Sequence, residues 1–490
     1  MGHQRPGISS VAFLIDFGST FTKVTAVDLS TSAVIGKSQS PSTVLTDVRE
    51  GLIRALIQLH DQTALFTRRP ADLEVLQGRL VFASSSAAGG LRMVVIGLVP
   101  GLTVEAANLA ALGAGAKVVG SSAFKLDEKK IHEIEGLRPD MLLLTGGTDG
   151  GDSGTILHNT RLLAVSKLAV PIVIAGNQAV AGEVSEILRG GGKEIRSAAN
   201  VLPQPGKLAV ESTREEIRKL FMERITHAKG LDEIKDVVSV VLPTPMAVLQ
   251  GVLRGAEGTE VEEGWGEMLV VDVGGATTDV HSVGYGEPSG PNPIVQSLPE
   301  PFAKRTVEGD LGIRYSAATL LARVGLNNLA SELHTRFPEF SVSREELSRY
   351  IEEISQETAR IPREKWQGAV DAVLARVAVD LAVERHVGKR EKIYTREGET
   401  WLHHGKDMLE TSTFIGTGGV FVHNPFAAHI LGGKGQKERW EVLRPKNPRL
   451  FIDSSYLLYA VGLLAEGYPT VAVRIFREHM TPVRSQADAS

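Results

Sequence analysis

Two stretches decide how this chain is read: Asp16-Phe17-Gly18-Ser19-Thr20-Phe21-Thr22-Lys23 and Asp272-Val273-Gly274-Gly275-Ala276-Thr277-Thr278-Asp279. Each follows an apolar run, Val11 to Ile15 and Met268 to Val271, and each resumes as a second strand-like stretch, Val24 to Leu29 and Val280 to Val283. An Asp that closes a strand, followed by Gly and then Ser or Thr, spells a tight hairpin lined with hydroxyls and amide N–H groups. Such a turn is a concave anion receptor, and the Asp beside it suits a hydrated Mg²⁺. One copy is weak evidence, because Gly- and Thr-rich hairpins are common. A copy in each half of the chain points to two lobes that grip the phosphate tail of one nucleotide.

At 490 residues the chain exceeds what one hydrophobic core usually serves, so about two to four domains are expected. Its 53 basic and 58 acidic side chains leave a net charge of −5, with no global drive toward nucleic acid or anionic membrane. The short basic clusters around Lys389-Arg390 and from Lys434 to Arg439 read as solvated surface. There is no cysteine, which excludes disulfides, thiolate zinc sites and Cys nucleophiles in this chain. The uncharged stretch Thr411 to Gly433 is long enough to span a bilayer but is broken by Gly416, Gly418, Gly419 and Pro425. With no signal pattern at the start, the expected location is cytoplasmic.

Along the chain, a hairpin, further strand and a helix near Val48 to His60 make a first lobe over residues 1–71. Residues 72–235 alternate short apolar runs with helical patterns, which predicts an inserted α/β domain with a mostly parallel sheet. Its loop Thr145 to Gly154 reads either as an anion site at a helix N-terminus or as an ordinary strand-to-helix turn. A second lobe is expected over 236–342, a mostly helical subdomain over 343–400 with a polar spacer at 388–400, and a last α/β portion over 401–490.

The two hairpins resemble the phosphate motifs of the actin, Hsp70 and sugar-kinase superfamily, and the remaining motifs follow in the same order. Val241 to Gly251 stands where that superfamily has its first connecting helix, Phe414-Ile415-Gly416-Thr417-Gly418-Gly419-Val420 looks like its adenosine motif, and Asp453 to Gly462 resembles its second connecting helix. Within the superfamily the chain most resembles the MutL/GlmL accessory proteins associated with adenosylcobalamin-dependent glutamate mutase. That likeness is carried by the two hairpins, Ala83 to Leu91, Leu144 to Gly151, Arg305 to Gly312 and Ile415 to His423. The resemblance implies an α/β, two-lobed actin/Hsp70-like (ribonuclease H-like) ATPase fold with an inserted α/β domain. It also implies ATP and Mg²⁺ as cofactors and mutase subunits as partners. The activity implied is a reactivating chaperone that uses ATP to exchange damaged cobalamin. Self-association is left open.

On that resemblance, Asp16 and Asp272 position Mg²⁺ through water together with the attacking water. Ser19, Thr20, Thr22 and Thr277 would bind phosphates, while Gly18, Gly274 and Gly275 allow close backbone approach. Lys23 either pairs with phosphates or points to solvent, and Asp279 could reach the metal's water shell. Gly416, Gly418 and Gly419 would pass under the nucleoside, or form an ordinary Gly-rich loop. Glu308 and Asp310 lie near the nucleotide or simply mark a helix N-terminus. One departure stands out: where Hsp70-like members carry a Glu in the first connecting segment, this chain has Leu242, Pro243 and Thr244. Slow hydrolysis, or binding alone, is therefore expected. A small-molecule kinase is the alternative activity. Asp279-x-His281-x-x-Gly284 matches a short cobalamin-ligand pattern, but it overlaps the second hairpin and is set aside.

Overall fold

The computed structural model describes residues 10–18, 20–43, 46–86, 91–225, 234, 237–289, 293–396, 398–431 and 440–483. The chain divides into two compact units: Met1–Gly251 with Tyr459–Ile475, and Val252–Leu458 with Phe476–Ser490.

The first unit opens with strands β1 (Val11–Phe17), β2 (Phe21–Asp28) and β3 (Ala33–Pro41) and helix α1 (Val48–Thr63). Strand β1 is buried at every position, as a central strand covered on both faces requires. Asp47 caps α1 by accepting from the Arg49 amide, and Leu52, Ala55, Leu56 and Leu59 place one helical stripe against Phe13, Ile15 and Val24. After β4 (Leu80–Ser85) the chain leaves this sheet for an inserted domain. That domain runs β5 (Arg92–Ile96), α2 (Glu105–Gly113), β6 (Lys117–Ser122), α3 (Glu128–Gly136), β7 (Met141–Leu144), α4 (Gly154–Val165), β8 (Ile172–Ile174), α5 (Ala181–Gly190), β9 (Ile195–Ser197) and α6 (Glu211–Ile225). It returns as β10 (Val240–Pro243) and α7 (Thr244–Glu257).

The sheet order in the first unit is β10-β4-β1-β2-β3. β1, β2 and β3 form an antiparallel meander, and β4 and β10 add parallel strands on the other side of β1. The inserted sheet is wholly parallel, in the order β6-β5-β7-β8-β9, a doubly wound arrangement.

The second unit repeats the first pattern. β11 (Met268–Val273) and β12 (Thr278–Val283) form a hairpin, followed by β13 (Ile294–Val295) and β14 (Ala303–Glu308). Helices α8 (Ala317–Val324), α9 (Leu326–Arg336), α10 (Arg344–Gln356) and α11 (Lys365–His386) come next, then β15 (Lys389–Thr395) and β16 (Gly398–His404). The chain continues with β17 (Thr413–Thr417), α12 (Gly419–His423), α13 (Ala427–Leu431) and β18 (Arg449–Asp453), and ends with α14 (Leu458–Leu464), α15 (Pro469–His479) and β19 (Met480–Pro482). The main sheet runs β14-β12-β11-β17-β18-β19, antiparallel from β11 to β14 and parallel from β11 through β17 to β18. Strand for strand, β14-β12-β11-β17-β18 matches β3-β2-β1-β4-β10. This is the duplicated ribonuclease H-like architecture, with the α/β insertion, that the sequence led us to expect.

Three segments lie elsewhere than the expected boundaries put them. β4, expected inside the inserted domain, and β10, expected to open the second lobe, both join the first sheet. Their pairing is parallel and non-local, so no turn chemistry in the sequence marks it. Residues 388–400, expected as a spacer, form most of the β15–β16 hairpin. Among the described residues, no helix is long and apolar enough to cross a membrane.

Within the first unit α14 crosses α7 at Gly462: a Cβ placed there would stand 1.7 Å from the Ala247 carbonyl oxygen and 3.0 Å from the Gly251 nitrogen. Only glycine permits that approach. Gly462→Ala is therefore expected to cost about 3 kcal/mol, since backbone rather than a yielding side chain must move. Urea denaturation checks this, and a change below about 0.5 kcal/mol would mean that the crossing has slack.

Candidate functional site

Both hairpins close in the same way. The Gly18 amide donates to the Phe21 carbonyl at 3.0 Å, and the Gly274 amide donates to the Thr277 carbonyl at 2.9 Å. In each, the Asp lies one residue from the end of the strand that its sheet is built around, facing β4 or β17 in register: Asp16 opposite Ser84, Asp272 opposite Thr417.

In the first unit Asp16 is 1% exposed. Its Oδ1 accepts from the Ser84 hydroxyl at 2.9 Å and the Thr244 hydroxyl at 2.7 Å, while Lys23 Nζ lies 3.5 Å from Oδ2. Lys23 thus pairs with Asp16 rather than standing apart in solvent. Thr244, within the stretch Leu242-Pro243-Thr244 that lacks a Glu, orients Asp16. Ser42 ties the turn from behind, its hydroxyl donating to the Gly18 carbonyl at 2.7 Å and its amide to the Thr20 carbonyl at 2.9 Å. Thr20 is exposed on the turn, and Ser19 lies outside the described residues. Thr22 is fully buried, and its hydroxyl faces α1, where a Cβ on Gly51 would come within 3.1 Å of it. Strand alternation sends Thr22 and Lys23 to opposite faces, so the structure does not bring the Thr22 hydroxyl to Asp16.

In the second unit the carbonyls of Gly274, Gly275 and Ala276 all accept bonds from one segment. Ile313 N lies 3.2 Å from Gly274 O, Arg314 N and Tyr315 N lie 2.8 and 2.9 Å from Gly275 O, and Ser316 Oγ lies 3.1 Å from Ala276 O. In a planar trans peptide the N–H points opposite to the C=O. The amides of Gly275, Ala276 and Thr277 therefore face away from that segment, on the side where a nest for an anion would form. The bond from the Thr278 hydroxyl to Leu311 O at 2.7 Å adds to the clamp.

Beside this nest the structure brings Asp272 and Gly418 together. Gly418 has φ of 108°, and a Cβ there would meet Val273 O at 2.5 Å and Asp272 Oδ1 at 2.8 Å. Gly419 opens α12 and is exposed. Gly416 is different: a Cβ on it would strike the Phe421 ring at 2.4 Å, so its role is to seat that ring. Asp279 is committed to Arg305 at 2.6 Å and accepts from the Thr277 hydroxyl at 3.1 Å. Glu308 and Asp310 both pair with Arg385. Thr417 donates to the fully buried Asp453 at 3.0 Å, which also accepts from the Leu457 and Leu458 amides and so caps α14. Burial pushes the Asp453 carboxyl up, against those three bonds.

The Thr145–Gly154 loop is built otherwise. Asp149 N donates to Pro203 O, Gly150 N to Asn177 Oδ1 and Gly151 N to Thr148 O, so these three amides are already taken by protein acceptors, two of them on neighbouring segments. His281 is 1% exposed on β12, and burial, helped by the neighbouring Arg305 charge, holds its ring down at about 3.

A sequence model of the MutL protein family matches residues 12–480. The chain belongs to the MutL family. Protein MutL of Clostridium tetanomorphum is 42% identical over 477 residues, covering 96% of this chain and 99% of that protein. Among solved structures, gluconate kinase from Lactobacillus acidophilus is 9% identical, with 97% of this chain and 93% of that chain covered at a TM-score of 0.34. Ethanolamine utilization protein EutJ from Carboxydothermus hydrogenoformans is 11% identical, with 96% and 91% covered at a TM-score of 0.29. At that level the fold rests on the strand orders above. The match to the MutL family takes in both turns and the inserted sheet. Four residues that orient the turns, Ser42, Ser84, Thr244 and Ser316, went unassigned in the sequence, because a lone hydroxyl carries no spacing signal.

The strands that carry the second turn are stapled by buried polar groups. His386 sits between Ser282 Oγ and Thr306 Oγ1, 2.8 Å from each. Lys406 is wholly buried and donates to the carbonyls of Pro301 and Phe302 at 2.9 and 2.8 Å. Burial, only partly offset by Glu300, pulls its pKa from 10.5 to about 7. A lysine lowered by folding destabilises most below its folded value, and that cost fades as pH rises toward its unfolded one. Relative to Lys406→Met, the wild-type chain is expected to gain stability between about pH 7 and 10, at up to about 1.4 kcal/mol per pH unit. Paired urea titrations at pH 7 and 9.5 check this; a difference that stays flat or reverses overturns it.

Proposed function

We propose that this MutL-family chain is a nucleotide-dependent accessory protein of an adenosylcobalamin-dependent mutase of the glutamate mutase type, located in the cytoplasm. The observation that carries the nucleotide part is the matched pair of Asp-x-Gly turns, each ending the equivalent strand of its own ribonuclease H-like sheet. Family membership supports the mutase part.

The donors suit Mg²⁺ held through water. Mg²⁺ characteristically takes one or two carboxylates with phosphates and retained waters, and each turn is preceded by one carboxylate, Asp16 or Asp272. Each unit taken by itself offers one carboxylate, Asp16 in the first and Asp272 in the second, that would hold it, and when bound it would neutralise phosphate charge. The amides of Gly275, Ala276 and Thr277 bind phosphate oxygens. Asp16, its Oδ1 oriented by Ser84 and Thr244, orders a water at the first turn. The stretch Leu242-Pro243-Thr244 supplies no carboxylate base that would speed hydrolysis, so turnover is slow. Nucleotide state then controls attachment to the mutase and the exchange of its damaged cobalamin.

Asp16→Asn and Asp272→Asn are each expected to lower ATP affinity at least tenfold, with melting temperature within a few degrees of wild type. Isothermal titration with Mg-ATP reads this, and unchanged affinity in both variants removes the nucleotide reading. Capture of the tagged chain from cells that express a mutase, with Mg-ATP against Mg-ADP, is expected to retain mutase subunits in one state only. ATP turnover that rises with a small-molecule acceptor and no mutase would instead identify a kinase.

A further inference from the structure

Gly275, at the centre of the second turn, rests on a side chain. A Cβ on Gly275 would lie 3.4 and 3.5 Å from Cβ and Cγ of Arg314, so the arginine's stem lies against the glycine while its own amide holds the Gly275 carbonyl. The guanidinium is anchored at both ends. Nη1 donates to Ile313 O at 2.8 Å, and Nη2 donates to Asp371 Oδ2 of α11 at 2.6 Å. Asp371, 3% exposed, accepts a further bond on Oδ1 from the Tyr350 hydroxyl of α10 at 3.2 Å. Tyr350 is 1% exposed and packs edge-on to Trp366.

This ion pair lies in an otherwise apolar core that includes Ile351, Ile354, Val370 and Leu374. A buried charge pair gives little net stability, and apolar residues of the same volume often do as well or better. What a planar guanidinium bonded to a carboxylate through one nitrogen and to a backbone carbonyl through another supplies is direction. Here the direction goes to the backbone of 313–315, whose amides set the Gly274 and Gly275 carbonyls and therefore the outward N–H groups of Gly275 and Ala276.

We propose that Arg314 is a positioning residue for phosphate recognition by the second turn, and that Tyr350 and Asp371 form a relay coupling helices α10 and α11 to that turn. This rests on the nucleotide reading above. The relay joins the turn to the helical layer of the same unit, so a partner that shifts α10 or α11 changes how well the turn holds phosphate. The same linkage makes phosphate binding shift α10 and α11.

The experiment uses the full chain as wild type, Arg314→Met, Arg314→Lys and Tyr350→Phe, with two readouts. Titration calorimetry compares Mg-ATP, Mg-ADP and adenosine. Arg314→Met is expected to lose about tenfold or more for ATP and ADP, Arg314→Lys less, and Tyr350→Phe about threefold, with adenosine affinity unchanged throughout. Hydrogen exchange without nucleotide is expected to speed at the amides of Ile313, Arg314 and Tyr315 in Tyr350→Phe, while protection in α10 and α11 persists. Tyr350→Phe removes one hydroxyl and keeps the core volume, so it remains informative if Arg314→Met folds poorly. Equal losses for ATP and adenosine, or exchange at 313–315 unchanged in Tyr350→Phe, overturns the relay. A wild-type chain that binds no nucleotide removes the function reading, and the exchange measurement still decides the relay.

Discussion

A planar peptide cannot present its N–H and its C=O to the same side. The candidate site in the second unit depends on that constraint. Three carbonyls of the second turn are drawn to residues 313–316, so three amides are left pointing the other way. The inserted domain shows a contrast: in the Thr145–Gly154 loop the amides of Asp149, Gly150 and Gly151 are taken by protein acceptors, Pro203 O, Asn177 Oδ1 and Thr148 O. Two Gly-rich loops therefore dispose these amides differently. Glycine content makes tight turns possible, but the partners of the carbonyls decide which way the amides face.

Much of the architecture was legible because it is local. The Asp-x-Gly turns, the helix under the first hairpin, and the β-α alternation of the insertion all rest on periodicity and turn chemistry within a few residues of one another. What escaped was decided at a distance. The sides taken by Thr22 and Lys23 follow from strand parity once β2 is in register with β1. Gly416 looked like a nucleoside contact until Phe421 filled the space above it. Glu308 and Asp310 found Arg385 on α11, more than 70 positions along the chain. The 388–400 segment is so charged that its alternation was hidden, although its strands pair along their whole length.

The two units share a strand order but solve the environment of their aspartates differently. At the position across the hairpin, Asp16 faces Lys23 and Asp272 faces Asp279. The first unit balances its carboxylate directly with a cation and two hydroxyls. The second gives the cross-strand acid its own partner, Arg305, so Asp279 does not place an uncompensated negative charge beside Asp272. Duplication preserved the scaffold while the charge around each turn diverged.

The return of Tyr459–Ile475 to the first unit has a consequence for biosynthesis. Tyr459 places its hydroxyl on Thr25 Oγ1 at 3.0 Å, a buried bond between residues 434 positions apart, and Gly462 seats α14 on α7. A ribosome delivers β1 and β2 first, yet the surface around Thr25 waits for its cover until nearly the entire polypeptide has emerged. The inserted domain, continuous from Arg92 to Ile225, meets no such delay. The first strands translated are thus among the last to be sealed. A chain that stalls short of Tyr459 leaves that surface uncovered, a state for chaperones and proteases to recognise.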